Sequence, residues 1–180
     1  MNINIILPYK ETYSEKLAGA VSLLIAEVKN RCKFKKNIKI FGSLILKKPL
    51  TKDYISCDLS DKPFYYIFGR TSYYLKNIKK KISKKSIIEI HNRPQAANFF
   101  INNNNNNKII LYFHNDPLTL RGSKYVYQRI YLLKNLDKLI FVSEWTKRQF
   151  FKDLPVLDSE KSFVIYPGSN LLKKIPKKKK

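Results

Sequence analysis

The segments IIEIHNRP (residues 87–94) and LYFHNDP (residues 111–117) decide the fold of this 180-residue chain. In each segment an apolar run ends in a histidine, an asparagine and a further polar residue. Short apolar runs bounded in this way are typical of strands that are buried on both faces, as in parallel sheets. We therefore predict two parallel strands, Ile87–Ile90 and Ile109–Phe113, which end at the same edge of one sheet.

The rest of the hydrophobic pattern alternates strands with helices. We predict further strands at Ile3–Leu7, Ile38–Phe41, Lys138–Val142 and Phe163–Ile165. We predict helices at Ser14–Cys32, Thr71–Ile82, Ser123–Asn135 and Glu144–Phe151, and another that begins near Pro94. This alternation predicts an α/β fold, a single Rossmann-like domain whose mostly parallel sheet has helices on both faces. The domain should cover residues 1–170, before a basic tail at 171–180. The stretch 43–66 shows no clear period.

The chain is strongly basic, with 36 Lys and Arg against 13 Asp and Glu and a formal net charge of +23. Such a charge favours a polyanionic partner, nucleic acid or anionic lipid. A gene rich in A and T explains it equally well, because Lys, Asn and Ile are abundant throughout. Cys32 and Cys57 show neither metal-ligand spacing nor a disulfide framework. Together with the lack of a signal peptide or an apolar span, they favour a cytoplasmic protein, free or on the inner face of the membrane.

Polar clusters follow three of the predicted strands. In a parallel sheet the carboxyl ends of the strands share one edge, where ligands bind. Turn chemistry accounts for Asn and Asp after a strand, but His and Arg are not preferred in turns. We therefore expect His114 to be the candidate catalytic residue, although a lone histidine often only satisfies a loop carbonyl. The expected substrate-binding residues at this edge are His91, Asn92, Arg93, Asn115, Asp116, Arg121, Ser143 and Glu144.

Gly19 lies inside the first predicted helix, where glycine costs about 1 kcal/mol relative to alanine. Either the helix begins at Gly19, which leaves its first amide groups free to face an anion, or Gly19 packs closely against the sheet. The chain contains neither of the glycine-rich phosphate-binding motifs GxGxxG and GxxxxGK[ST], so no P-loop enzyme is indicated.

Four segments in order carry a resemblance to a known family. They are IEIHNRP (88–94), LYFHNDP (111–117), IFVSEW (140–145) and VIYPG (164–168). Their order resembles the N-terminal domain of family 4 glycosyltransferases, which are retaining enzymes built from two Rossmann-like domains, the GT-B architecture. The resemblance covers almost the whole chain and is weakest between residues 43 and 66.

The resemblance implies a role in sugar transfer, as in the biosynthesis of cell-envelope polysaccharides. The N-terminal half of such an enzyme holds a glycan or lipid-linked acceptor, while the C-terminal half binds most of the nucleotide-sugar donor. It implies that His114 lies near the sugar, that Gly19 lies near the donor phosphate, and that Asn92, Arg93 and Asn115 line the acceptor wall together with Asp116. No permanent cofactor or metal is expected. Because no second half follows, we expect a truncated chain that is inactive without a C-terminal partner.

The alternative from a different class is a basic module without catalysis. It would bind nucleic acid or an anionic surface, and the lysine cluster between Lys76 and Lys85 is the candidate for holding an anionic membrane. No RNA-binding aromatic motif, zinc finger or helix-turn-helix pattern is present, which disfavours a nucleic-acid partner.

Overall fold

The computed structural model describes residues 1–58, 69–103, 106–156 and 158–168. Within these ranges the strands are β1 Ile3–Ile6, β2 Ile38–Gly42, β3 Tyr54–Ser56, β4 Ile87–His91, β5 Lys108–Phe113, β6 Lys138–Phe141 and β7 Ser162–Val164. The helices are α1 Ala20–Arg31, α2 Arg70–Lys81, α3 Pro94–Asn102, α4 Val126–Asn135 and α5 Glu144–Phe151, with a 3-10 turn at Lys35–Asn37. The chain is therefore an α/β protein, as the alternating pattern predicts.

All seven described strands run parallel in one sheet, in the order β3-β2-β1-β4-β5-β6-β7. Strand β1 lies at the centre, where Ile5 pairs with Ile40 of β2 on one side and with Glu89 of β4 on the other. Strands β2 and β3 extend the sheet on one side of β1, and strands β4 to β7 extend it on the other side. The order reverses between β1 and β4, which is the position where open parallel sheets bind ligands.

Helices cover both faces of the sheet. The larger core contains side chains of α2 to α5 packed on alternate strand residues such as Ile88, Ile90 and Leu111. The smaller core holds Ile25 of α1 against Ile5 of β1 and residues of β2. Successive residues of a strand face opposite sides of the sheet, so the two cores lie on its two faces. Among the described helices, α1 packs on the face of the smaller core and α2 to α5 pack on the face of the larger core.

A hydrogen-bonded polar cluster lies at the amino edge of the sheet. Asn4 is 2% exposed, and its side-chain amide donates to Ser86 Oγ at 3.0 Å. The backbone N–H of Ser86 donates to Asn107 Oδ1, also at 3.0 Å. These buried side chains use their hydrogen-bonding groups on one another, so they connect β1 to the loops before β4 and β5.

Arg129 of α4 is a buried cation that braces two loops. Its guanidinium donates to the carbonyl oxygens of Ser123 and Lys124, and to that of Lys152 just beyond α5. Burial lowers the pKa of this guanidinium from its ordinary value. The contacts fasten the loop before α4 to the end of α5.

Three sequence predictions differ from the structure. The helix predicted at Ser14–Cys32 begins only at Ala20, and Leu17, which fits its apolar spacing, is 75% exposed. Ser14 instead forms an antiparallel bridge with Pro49. The predicted Ser123–Asn135 helix begins at Val126, after a loop that Arg129 holds. Strand β3 lies in the stretch for which no element was predicted. The other predicted strands agree with the structure to within one residue at either end.

The predicted tail at 171–180 lies outside the described residues. In the described part of the chain, no helix has both the length and the apolar composition needed to cross a bilayer.

Candidate functional site

A cleft of about 290 Å³ opens at the switch point between β1 and β4. Its walls come from Leu7, Pro8 and Tyr9 after β1, from Asn92 and Arg93 after β4, from the first turns of α2 and α3, and from Leu120 and Arg121 after β5. Five different parts of the chain thus converge at the carboxyl edge of the sheet. This is the place where a Rossmann-like sheet binds ligands.

The back of the cleft is rigid because a buried tyrosine ties three elements together. The Tyr74 hydroxyl of α2 donates to the carbonyl oxygens of Leu7 and Phe41, at 3.0 and 3.1 Å, where β1 and β2 end. Tyr74 is 1% exposed, and burial raises the pKa of its phenol well above the ordinary value. The hydroxyl therefore stays protonated and serves as a fixed donor to the backbone.

Two exposed arginines line the open side of the cleft. Arg93 follows β4, and one of its Nη atoms donates to the carbonyl oxygen of Asn92 at 2.9 Å, which holds the side chain beside the strand end. Arg121 lies in the loop after β5 and is also exposed. A guanidinium offers paired donors that match the oxygens of a phosphate or carboxylate. The pair gives this cleft the chemistry of an anion site.

Gly122 sets the position of Arg121. Its φ is +98°, a conformation that side chains rarely adopt, and a Cβ there would lie 2.7 Å from the backbone nitrogen of Gln95 in α3. The loop after β5 therefore packs directly on the first turn of α3. Only glycine permits this approach, which brings Arg121 to the cleft.

Asn92 lines the cleft, but its side chain is used in the fold. Its Oδ1 accepts hydrogen bonds from the backbone N–H groups of His114 and Asn115, at 2.8 and 3.1 Å. Its own N–H donates to the carbonyl oxygen of Tyr112. The residue is 6% exposed and has a φ of +51°, which asparagine tolerates better than most residues. Asn92 thus fastens the end of β4 to the end of β5.

The two histidines meet at the same edge, as the sequence predicts. His91 Nδ1 lies 2.8 Å from His114 Nε2, and His91 Nε2 lies 2.8 Å from a carboxylate oxygen of Glu89. The ring of Tyr112 stacks on His91 with centroids 4.7 Å apart. Neither histidine is among the residues that line the cleft. His91 follows Ile90 of β4 and His114 follows Phe113 of β5, and both of these apolar residues face the larger core. Because successive strand residues face opposite sides, the imidazoles lie on the other face of the sheet.

Burial, and after it the neighbouring His91, lower the pKa of His114 to about 4. The ring is therefore neutral at pH 7. Burial also raises the pKa of Tyr112, with a further contribution from Glu89. His91 therefore contacts Glu89, a phenol that is neutral at pH 7 and an imidazole that is neutral at pH 7.

Two further predicted residues form hydrogen bonds of local structure at this edge. Asp116 Oδ1 accepts the N–H of Leu118 within a turn. Ser143 Oγ accepts the N–H of Thr146 and caps α5. Asn115 and Glu144 are exposed, and Glu144 lies in the first turn of α5. These arrangements agree with ordinary turn and helix-start chemistry.

Gly19 is placed away from the cleft walls, at the N-cap of α1. The first of the two alternatives for this glycine is therefore the one observed. A carboxylate of the chain itself lies there: Glu11 Oε1 would be 3.0 Å from a Cβ at Gly19, and it accepts the hydroxyl of Ser22 at 2.9 Å. A carboxylate at a helix N-terminus is stabilised in the same way as a phosphate.

Sequence reasoning did not assign Tyr9, Thr71, Tyr74, Gln95 or Leu120 to the site, although all of them line the cleft. Tyr9 lies shortly after the end of the central strand β1, so the sequence alone could have placed it at the carboxyl edge of the sheet. Thr71 and Tyr74 come from a helix whose placement depends on packing. Glu89, the carboxylate partner of His91, is likewise absent from the predicted site.

No family model matches the chain, and no curated protein is detectably similar to it. In the described ranges, no group of three or more His, Cys, Asp or Glu side chains is arranged to hold a metal ion.

Proposed function

We propose that this chain is the acceptor-binding, N-terminal half of a retaining glycosyltransferase of family 4, which moves a sugar from a nucleotide-sugar to a glycan or lipid-linked acceptor. The observation that carries the proposal is the cleft between β1 and β4, with the guanidinium groups of Arg93 and Arg121 on its open side. The choice of family depends on the order of the four sequence segments.

The arginine pair favours an acceptor that carries phosphate. Both arginines are exposed, and Gly122, next to Arg121, packs its backbone against the first turn of α3. A charge-assisted hydrogen bond to phosphate contributes about 1.5 to 3 kcal/mol. A lipid-linked acceptor with a phosphate or diphosphate fits such a pair better than a neutral glycan does.

The remaining walls suit a sugar ring. Tyr9 is partly buried and packs on the ring of Tyr74, with centroids 5.8 Å apart. Leu120 provides further apolar surface in the lining. A ligand with an apolar ring face and polar edges would place the face on these side chains and its charged group on the arginines.

Sugar transfer needs the donor aligned with the acceptor hydroxyl and shielded from water. In a two-domain enzyme the second domain supplies the donor site and closes over the acceptor. The cleft of this chain is open to solvent on its arginine side. We therefore propose that the chain binds acceptor by itself and transfers sugar only with a C-terminal partner domain.

The test measures binding of a sugar linked to a short-chain prenyl diphosphate and of the same sugar without the diphosphate, by titration calorimetry. We expect the chain to prefer the diphosphate form and R93Q/R121Q to weaken that binding about 100-fold, about tenfold for each charge. R148Q, which removes an exposed arginine on α5, is the matched control and should bind like the wild type.

Equal binding of the two sugars, or an unchanged affinity of R93Q/R121Q, contradicts the acceptor site. Sugar transfer by the purified chain alone contradicts the need for a partner domain.

A second candidate function, attachment to an anionic surface, is favoured by a groove between α2 and α3. The groove has a volume of about 510 Å³. Its lining combines lysines with aromatic side chains: Tyr73, Lys76, Lys79, Lys80, Lys84 and Phe99. Each basic residue near an anionic membrane contributes about 1 kcal/mol. This face would hold the chain where a lipid-linked acceptor lies, so the second candidate is compatible with the first.

Vesicle flotation tests the groove. We expect the chain to float with vesicles that contain phosphatidylserine and not with neutral vesicles, and K80E/K84E to lose the association. K47E/K48E, which changes two exposed lysines in the loop after β2, is the control of equal charge. Loss of flotation in both double variants would show that net charge, and not the groove, is responsible. Tight, salt-sensitive binding to nucleic acid at physiological salt would favour the nucleic-acid module instead.

A further inference from the structure

The chain Glu89–His91–His114 determines where the protons of both imidazoles lie. A carboxylate only accepts hydrogen bonds, so the His91 nitrogen that faces Glu89, Nε2, must carry a proton. A neutral His91 then has a bare Nδ1, which can only accept. The facing nitrogen of His114, Nε2, lies 2.8 Å away and must therefore be the donor. This arrangement leaves Nδ1 of His114 without a proton.

We propose that Glu89 and His91 are positioning residues that hold His114 in the tautomer with a bare Nδ1, so that His114 presents a hydrogen-bond acceptor for a hydroxyl group of a ligand at the carboxyl edge. The tautomer follows from the two hydrogen bonds of a neutral His91, to Glu89 and to His114. That the hydroxyl belongs to a sugar rests on the proposed function.

Burial supports this role for the two positioning residues. His91 is 3% exposed, and both of its ring nitrogens have partners. Its ring lies against Tyr112 on one side, which limits rotation. His114 is only partly buried, and its backbone N–H is fixed by Asn92 Oδ1. The ring of His91 is thus fixed in orientation, while the partly buried ring of His114 lies at the carboxyl edge of the sheet.

The carboxyl edge of the sheet thus offers two kinds of hydrogen-bonding group to ligands. The arginines of the cleft offer donors only and suit anions. The bare nitrogen of His114 offers a lone pair, which suits a hydroxyl donor and disfavours a phosphate or carboxylate oxygen.

The experiment is nitrogen NMR on protein labelled at its histidines, which is readily assigned because the chain has only two. Ring nitrogens with and without a proton resonate far apart. At pH 7.5 we expect both rings to be protonated at Nε2 and bare at Nδ1. Spectra of H91Q, with one ring left, identify the signals of His114. The opposite tautomer at either ring, or a doubly protonated ring, overturns the proposal.

Two variants test the positioning role. E89A removes the acceptor, and E89Q replaces an acceptor-only carboxylate with an amide that can also donate, so we expect the His114 Nδ1 signal to move toward the protonated position in at least one of them. E144Q, which removes an exposed carboxylate at the same edge, is the matched control and should leave both rings unchanged. Circular dichroism confirms that each variant is folded. An unchanged tautomer in both Glu89 variants overturns the role of that residue.

Diethyl pyrocarbonate, which acylates bare imidazole nitrogens, tests whether the acceptor is open. We expect rapid modification of His114 and protection of His91 in the wild type, as read by mass spectrometry. Protection of His114 would overturn the proposed acceptor. None of these outcomes depends on sugar transfer, so this proposal and the proposed function can fail separately.

Discussion

The two edges of the sheet use similar polar residues for different purposes. At the amino edge, Asn4 and Ser86 are buried and bond to each other. At the carboxyl edge, Asn92 is equally buried and bonds to the backbone, while Arg93 and Arg121 face the solvent. Burial and hydrogen bonding thus distinguish polar side chains that stabilise the fold from those that are free to contact a ligand. The residue type alone does not make this distinction.

The largest effect on stability is expected for N92A at the carboxyl edge. The variant loses two hydrogen bonds that Oδ1 accepts, leaves two backbone donors without their partner and places alanine at a φ of +51°. We expect the free energy of unfolding to fall by about 3 kcal/mol in urea titrations. N115A changes the exposed neighbour of the same type and should cost less than about 0.5 kcal/mol. Similar values for both variants would contradict the structural role of Asn92.

The next effect is a loss of stability in acid. The pKa of His114 is about 4 in the folded chain, below the ordinary 6.5 of an unfolded histidine. Between these pH values the unfolded chain binds a proton that the folded chain does not, so stability falls as the pH is lowered from 6.5 to 4. Allowing for the partial exposure of the ring, we expect a loss of about 2 kcal/mol.

H114Q should flatten this part of the stability curve. Asp158 has a pKa lowered to about 2, so its contribution is lost only as the pH falls below the ordinary value near 4, a separate window. A slope between pH 6.5 and 4 that persists in H114Q would assign the acid sensitivity to another group.

At the amino edge, N4A is expected to cost about 1.5 kcal/mol, because it removes the donor to Ser86 Oγ inside the sheet. Acceptor binding should be unchanged, since this residue lies at the edge opposite the cleft. N2A is the matched control, as Asn2 is exposed and its contact with Ser83 is 3.4 Å long. A large loss of acceptor affinity in N4A would contradict the assignment of stability to the amino edge and ligand binding to the carboxyl edge.

The smallest effect on stability is expected for R121Q, less than about 0.5 kcal/mol in the same urea titrations, because the side chain is exposed. The same variant should weaken binding of a diphosphate-linked sugar about tenfold. A stability loss comparable to that of N92A would place Arg121 among the residues that hold the fold.

The sequence predicts most of the sheet because its central strands are short, mostly apolar runs. Strand β3 was missed because it has only three residues, all of intermediate exposure, and it lies at the edge of the sheet. The start of α1 was misplaced because Leu17 fits the helical spacing by chance, whereas Gly19 begins the helix and Leu17 stays in solvent. Local periodicity cannot tell an exposed leucine from a core leucine.

The convergence of His91 and His114 at one edge follows from parallel strands and was predicted. Their separation from the cleft was not, since it depends on which face each strand residue occupies. The role of Asn92 as a fastener between strand ends depends on backbone groups that become neighbours only in the fold. Arg121 was predicted by its closeness in sequence to Asp116, while the close approach at Gly122 that positions it required coordinates.

The buried guanidinium of Arg129 gives the cleft a property that its lining residues do not reveal. By bonding the carbonyls of Ser123 and Lys124 as well as that of Lys152, it prevents the loop of Arg121 from shifting unless the end of α5 shifts too. A loop held in this way is preorganised, so a ligand would spend little of its binding free energy on ordering it. Arg129, which is not among the residues that line the cleft, thus helps to fix the shape of its wall.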